Sequence, residues 1–333
     1  MTLTLSACGG GDDYDKLVSF GDSLSDVGTH QVGTVAAAGG GRWTVNSAAG
    51  GEIWTERLAV RLGVARPCAA ETGLSPNLPG ISGAPIVSKP GCFGYAQGSA
   101  RITDPRGPNS IALQALGQQN LGLIAKPMAD QMAAHLAATG GRYNGKELVT
   151  VLAGANDVFM ELAFLGNAAA GGAADGPTAV ARLGAAGARL GQLVKSEIVA
   201  KGASRVLVLN VPNVAGTPFA RGLDMSNPGT AALIDAMVGA FNTALRSELT
   251  GVTGVLLADA YTQSQDTSPY TNTTDVACGA NALGGTSLVC NAGNLNSGDV
   301  SRYQFADDVH PSPYGQQVLA DFAAREMVRA GWL

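Results

Sequence analysis

The sequence predicts an α/β fold, a three-layer α/β/α sandwich on a mostly parallel sheet of about five strands. Three observations carry this. Short, almost uninterrupted apolar runs alternate along the chain with longer segments of helical periodicity. The runs lack the polar alternation of a strand with one wet face, so both faces of the sheet are covered. Polar residues suited to chemistry follow several of these runs within a few positions, and in a parallel sheet they would gather at one edge, beyond the carboxyl ends of the strands.

Lys16–Phe20 reads as the first strand, broken at Gly21. Ile53–Leu62 reads as a helix, with Trp54, Leu58 and Leu62 recurring every fourth residue. Residues 64–125 are long, rich in Gly and Pro and irregular, with one short strand expected near Phe93–Ala96. Pro127 opens and Gly140-Gly141 closes a helix over Met128–Thr139, the usual asymmetry of helix ends. Glu147–Ala153 reads as a buried strand, 178–200 as an Ala/Leu/Val helix and Arg205–Asn210 as a strand closed by Val211-Pro212. Ala231–Leu249 is helical, Val255–Ala258 a strand and Pro313–Ala330 the last helix. Ser23, Asn156 and Asn213 each trail a strand by a few residues and so are expected at one edge. No repeat or linker divides the chain, so 15–333 is expected to be one domain with long loops at 64–125 and 260–305.

Among 333 residues, 46% are hydrophobic and only 14% charged, against about 25% in ordinary globular domains. A net charge of −5 without a Lys/Arg cluster argues against nucleic acid as a partner. Of five cysteines, Cys8 stands apart from Cys68, Cys92, Cys278 and Cys290. Four cysteines allow three connectivities. The local pairs Cys68–Cys92 and Cys278–Cys290 are preferred because each brackets a Gly/Pro/Asn-rich segment, where a covalent staple contributes about 3 kcal/mol. The alternative is four reduced, buried cysteines in a cytosolic enzyme. Leu5-Ser-Ala-Cys8 followed by Gly-Gly-Gly-Asp-Asp resembles a bacterial lipoprotein signal, with Cys8 as the lipidation candidate and residues 1–14 as the remnant of a signal and tether. The seven residues before Cys8 are too few for a complete signal peptide. The expectation is export: a secreted, periplasmic or outer-membrane lipoprotein, with a membrane tether through Cys8 and no protein partner evident.

The stretch Leu17-Val-Ser-Phe-Gly-Asp-Ser-Leu-Ser-Asp26 carries the chemistry. It delivers Ser23 to a strand tip where the next helix starts, and unpaired N–H groups there favour a developing anion. A serine nucleophile needs a base, and the chain has three histidines: His30, His135 and His310. His310 lies in Asp307-Asp-Val-His310-Pro, three residues from a carboxylate. His135 shares a helical stripe with Met128 and Met132 and reads as a packed residue. His30 sits in a Gly-rich loop and reads as outside any site.

Four blocks together resemble the SGNH/GDSL hydrolase superfamily, in particular its bacterial secreted esterase and lipase branch. They are Phe20-Gly-Asp-Ser-Leu-Ser-Asp-Val-Gly28, Tyr95-Ala-Gln-Gly98-Ser-Ala-Arg101, Gly154-Ala-Asn156-Asp157 and Asp307-Asp-Val-His310-Pro-Ser-Pro-Tyr-Gly315. Val211-Pro-Asn-Val-Ala-Gly-Thr-Pro218 resembles a weaker family segment. The resemblance implies a flavodoxin-like sheet and an acyl-enzyme on Ser23, with no metal or cofactor. His310 would move the proton, and Asp307 would hold the imidazole. The Ser23 and Gly98 N–H groups and the Asn156 amide would form the oxyanion hole. Ser99 departs from the Gly usual there, a change expected to leave the Gly98 donor intact and to narrow the pocket.

Plainer readings stand beside these. Ser23 alone could be a helix N-cap, and Asn156-Asp157 could be turn chemistry. Asp22 reads as structural, and Asp308 competes with Asp307 as the His310 partner. No serine sits in G-x-S-x-G, no H-E-x-x-H exists, and Gly140–Lys146 imitates a phosphate loop but runs into Glu147 and a strand. The function expected is hydrolysis of carboxylic esters with short- to medium-chain acyl groups, lipids and polyesters included. The alternatives are a carbohydrate acetylesterase, or a non-catalytic surface-binding lipoprotein on the same fold. The long loops 64–125 and 260–305 are expected to wall the site. Ile81, Ile86, Val87 and Phe93 in the first offer apolar walls for acyl chains, whereas the second, with Tyr261, Tyr270 and many Thr, Asn and Ser, is polar enough to hold a sugar.

Overall fold

The computed structural model describes residues 14–47 and 51–333. Cys8 and the expected tether lie outside them. In chain order the strands and helices are β1 Lys16–Gly21, α1 Gly33–Ala37, α2 Trp54–Arg61, β2 Glu71–Leu74, β3 Ala84–Ser88, α3 Met128–Ala138, β4 Glu147–Leu152 and α4 Ala155–Ala163. They continue as α5 Gly176–Leu193, β5 Arg205–Leu209, α6 Pro218–Ser226, α7 Thr230–Leu249, β6 Val255–Ala258, α8 Ala260–Gln265, β7 Asn272–Val276, β8 Tyr303–Phe305 and α9 Pro313–Arg329.

The central sheet has four parallel strands in the order β1-β4-β5-β6. Its two faces are divided by side-chain shape. Val18, Val149, Val151, Val206 and Val208 point to the side covered by α3, α5 and α7. Leu17, Leu148, Leu152, Leu207 and Leu209 point to the side covered by α2 and α9. Period-two alternation of two apolar residue types is what a strand buried on both faces requires.

The fifth strand expected near Phe93–Ala96 is reduced to a bridge. Ser19 N–H donates to the Phe93 carbonyl at 3.0 Å, and Ser19 pairs with Gly94 on the free side of β1. The Tyr95 and Ala96 amides then both converge on the Ser19 carbonyl, at 2.8 and 3.2 Å, so the ladder cannot advance. The chain turns off toward Gln97–Ser99 and the site.

The remaining expectations hold with changes at the ends. The helix over 178–200 is α5 followed by a π turn at Val194–Ile198 and a 3₁₀ turn at Val199–Lys201. Asp175 starts α5 by accepting the Thr178 N–H, with Pro177 in the first turn. The long loops are not structureless. Residues 64–125 carry the β2–β3 hairpin, and 260–305 carry α8, β7 and β8. Cys68–Cys92 and Cys278–Cys290 are disulfides, as the local pairing requires. They indicate an extracellular or periplasmic protein. Among the described residues, no helix is long and apolar enough to cross a membrane.

His135 is fully buried on α3, stacked on Tyr143 with ring centroids 4.5 Å apart and edge-on to Phe20 and Tyr95. Burial, with Lys16 adding, pushes its pKa down to about 4, so it packs as a neutral aromatic.

Candidate active site

β1 ends at Gly21, where the amide is taken by Gln131 Oε1 at 2.9 Å and the carbonyl by Gln131 Nε2 at 2.8 Å. This clamp from α3 fixes the strand tip. Asp22 then caps a 3₁₀ turn, Ser23–Ser25, by accepting the Leu24 N–H at 3.0 Å. Asp22 is thus the N-cap and Ser23 the first residue inside the turn. The Ser23 N–H has no hydrogen-bond partner among the described residues.

His310 arrives from the other end of the chain. After β8, residues 306–310 turn back so that Phe305 bridges Pro311 and the Ala306 N–H donates to the His310 carbonyl at 2.7 Å. His310 Nε2 lies 2.9 Å from Ser23 Oγ, and His310 Nδ1 lies 2.8 and 2.9 Å from the two Asp307 oxygens. Asp307 also accepts the N–H groups of Val309, His310 and Ser287. Ser287 belongs to the Cys278–Cys290 loop, so that disulfide braces a donor to this carboxylate. Burial opposes ionisation of Asp307, but the imidazole and the Ser287 N–H outweigh it and hold the carboxyl well below the usual range. Asp308, the rival partner, is exposed and makes no such bond. Burial and the Asp307 charge raise its pKa.

Gly154 turns β4 into α4 with φ of +131°, where any Cβ would strike Phe241 and Val211 at 2.7 Å. Asn156 therefore stands in the first turn of α4. One Nδ2 hydrogen goes to the Ala100 carbonyl at 2.9 Å, which leaves the second free. Asp157 is structural: it accepts from Arg101 Nε and the Ile102 N–H, each at 3.1 Å. Together Asn156 and Asp157 anchor the segment that follows Gly98.

Gly98 does not present the donor expected of it. Its N–H is committed to Asp26 Oδ2 at 2.8 Å, so it is not open to an oxyanion. The next amide is the open one. Ser99 lines the same cleft as Ser23, Asn156 and His310, and its N–H has no partner among the described residues. Ser99 has φ of +72°, a region costly for a residue with a side chain and natural to glycine. Glycine is needed at 98 for another reason: a Cβ there would meet Trp43 Nε1 at 2.5 Å.

Asp26 organises this corner. It is fully buried and accepts the N–H groups of Gly28, Thr29 and Gly98. His30 Nδ1 stands 3.4 Å from Oδ2, the oxygen that also accepts the Gly98 N–H. Burial alone would raise the Asp26 pKa, but His30 and these N–H groups lower it below the ordinary value. His30 is thus a buried support behind the loop, outside the cleft lining but not outside the architecture.

Trp43 was not legible as a site residue. Its ring lies against His310 with centroids 4.8 Å apart and planes tilted by 32°. The one available signal was an aromatic at the end of the Gly39-Gly-Gly-Arg-Trp43 run, close after the first block. Two hollows meet at Ser23, Asn156 and His310: a narrow apolar slot of about 100 Å³ and a wider cleft of about 790 Å³. The apolar walls expected from Ile81, Ile86, Val87 and Phe93 are elsewhere, since none of them lines either hollow. Ile86 and Val87 are exposed on β3, and Phe93 lines a separate hollow with Tyr95. The slot is instead walled from α4, the segment after β5, and α9, with Tyr270 from the 260–305 loop.

Residues 17–323 match the family described as GDSL-like Lipase/Acylhydrolase. The chain belongs to this family. As a GDSL hydrolase it cleaves carboxylic esters. No curated protein matches it. Solved structures similar to it include the acetylxylan esterase Axe2 from Geobacillus stearothermophilus, at 13% identity and TM-score 0.42 over 94% of each chain. A mutant of Axe2 described as an acetyl-xylooligosaccharide esterase is similar at 15% identity and TM-score 0.43, again over 94% of each chain.

The pKa of Asp22, beside Ser23 in this GDSL turn, gives a test of the site's electrostatics. Burial raises it to about 7, with Asp157 adding and the Leu24 N–H and His310 offsetting part. A carboxyl whose folded pKa lies above its unfolded value of 3.8 loses stability as pH rises from about 4 to 7, because the unfolded chain ionises first. Asp22→Asn keeps an acceptor for Leu24 and removes that penalty. Urea unfolding at pH 4 and pH 8 is therefore expected to show the variant gaining on the parent at the higher pH. An equal difference at both pH values would refute the assignment.

Proposed function

We propose that the protein is a serine esterase in which Ser23 attacks the ester carbonyl, His310 takes its proton and passes it to the leaving alkoxide, and Asp307 holds the imidazole. One observation carries the reading: Ser23 Oγ, His310 Nε2 and Nδ1, and Asp307 Oδ1 form an unbroken chain with links of 2.9 and 2.8 Å. A helix N-cap at position 23 needs no histidine, and a surface-binding protein needs no acid–base pair. The oxyanion would be met by the Ser23 N–H, the Ser99 N–H in place of Gly98, and the free Asn156 Nδ2 hydrogen. The reaction needs no bond beyond these: the acyl–Ser23 ester forms as the alcohol leaves, and water cleaves it by the same proton path.

A fluorophosphonate probe tests the nucleophile directly. One adduct per chain, mapped by mass spectrometry to Ser23 and absent after heat denaturation, is expected. Labelling at another serine would overturn the reading. For the oxyanion hole, Asn156→Ala is expected to lower kcat by about 10²–10³ while probe uptake slows in parallel. A loss below threefold would remove Asn156 from that role.

Acyl groups of short to medium length fit the apolar slot, whereas the wide cleft keeps a carbohydrate ester as the second reading. We also place the protein outside the cytoplasm, with Cys8 as a lipid-anchoring position. Metabolic labelling with a fatty-acid analogue, lost in Cys8→Ser, is the expected result. Labelling that survives the substitution would refute it.

A further inference from the structure

The two hollows that meet at Ser23 differ in what they offer a substrate. The slot is walled by carbon from Phe159, Val214, Phe305, Val309, Val318 and Leu319. Polar residues also line it, and several of their groups are taken. Asn213 Oδ1 accepts the Gly216 N–H, and Thr217 Oγ1 donates to Val214 and accepts from Ala220. Ser264 Oγ donates to the Tyr261 carbonyl and accepts from Asn213 N–H. Gln304 Nε2 donates to Ser264, and Gln263 Oε1 accepts from Arg325. A hydroxyl placed against those carbon walls would lose its water without a partner there, which is costly. Hydrocarbon loses nothing there.

The cleft on the other side of Ser23 is wider and offers unpartnered polar groups beside Trp43, Phe159 and Phe219. The side chains of Ser99, Asn109 and Asp308 line it, and none has a hydrogen-bond partner among the described residues. Asn109 and Asp308 are exposed and so present a donor and acceptors to whatever enters. Size decides the rest. A cavity of about 150 Å³ takes benzene, with six carbons. The slot, at about 100 Å³, then holds an acyl chain of about four carbons and excludes a long fatty chain.

We infer that the substrate is an ester joining a short aliphatic acid, of about butanoyl size and seated in the slot, to a polyhydroxylated alcohol seated in the cleft. This rests on the esterase reading above and narrows it. Val318 and Leu319 on α9 set the acyl length, and Asn109 and Asp308 set the alcohol preference.

The test compares kcat/KM on glyceryl monoacetate, monobutanoate, monohexanoate and monodecanoate, and on ethyl and glucose butanoates. The butanoate is expected to exceed the acetate by about tenfold, because one or two buried methylenes are worth that much, and the decanoate by about tenfold, because the slot has no room for the longer chain. Val318→Phe is expected to cut the butanoate-to-acetate ratio about tenfold. If that variant does not fold, Leu319→Ala is expected to move the optimum to hexanoate. Asn109→Ala combined with Asp308→Ala is expected to lower the ratio of polyol ester to ethyl ester by fivefold or more. Turnover of the glyceryl but not the glucose ester assigns glycerol as the alcohol, and the reverse assigns a sugar. An optimum at acetate or decanoate, or ethyl butanoate cleaved as well as both polyol esters, would overturn the inference with the esterase intact. Failure of the folded parent to cleave any ester would instead sink the esterase reading itself.

Discussion

Ser23→Ala is expected to lower kcat on p-nitrophenyl butanoate by about 10⁶-fold, the scale on which loss of a serine nucleophile acts. The substitution removes one oxygen and leaves the rest of the site in place. His310 keeps its two bonds to Asp307, and the free N–H groups of Ser23, Ser99 and Asn156 remain. Those donors still stabilise an oxyanion, so residual rates about 10³–10⁴ above water are expected rather than none. KM should change little, since the methyl of alanine fills most of the same space. The parallel measurement is steady-state hydrolysis by parent and variant, with unfolding curves to show that both fold. Equal rates in the two proteins would exclude Ser23 as nucleophile.

Asp307→Asn is expected to cost about 10⁴-fold in kcat while the fold survives. The reason is hydrogen-bond bookkeeping around a buried group. Ser287, Val309 and His310 all direct N–H donors at the Asp307 oxygens. An asparagine has one oxygen, and those three donors compete for it, so its NH₂ is left toward His310 Nδ1. That ring then carries its proton on Nε2, pointing at Ser23, and cannot accept one. Labelling of Ser23 by the fluorophosphonate should slow by a similar factor, although the serine itself is untouched. A variant within tenfold of the parent would shift the orienting role to another acid. Asp308 is the first to test, by Asp308→Asn.

Much of the architecture was readable because it depends on local pattern. The Val and Leu runs of β1, β4 and β5, each bounded by Gly or Pro, announce strands buried on both faces, and such strands need helices on both sides. The disulfide pairs were readable because each closes a short, Gly-rich loop. Ser23 and Asn156 stood out because each sits in a short motif at the end of a central strand, and a parallel sheet brings its strand ends to one edge. Asp307 and His310 stood out because one of only three histidines lies three residues from a carboxylate in a block that resembles the family.

What the sequence could not specify is which of two neighbouring groups a distant side chain would claim. Asp26 is 72 positions from Gly98, yet it takes that amide and leaves the Ser99 amide open. The fifth strand stopped because two amides converge on one Ser19 carbonyl, an event of backbone direction rather than composition. Trp43 reached His310, and the apolar side chains of the 64–125 loop, Ile86 and Val87 among them, stayed away from the slot. The sequence by itself determined the sheet, its cover and the residue types at its edge, since periodicity and turn chemistry act over a few residues. Only the tertiary structure decided which amides stay free, how wide the slot is and which face of Ser23 is dry, because each depends on packing between segments far apart in the chain.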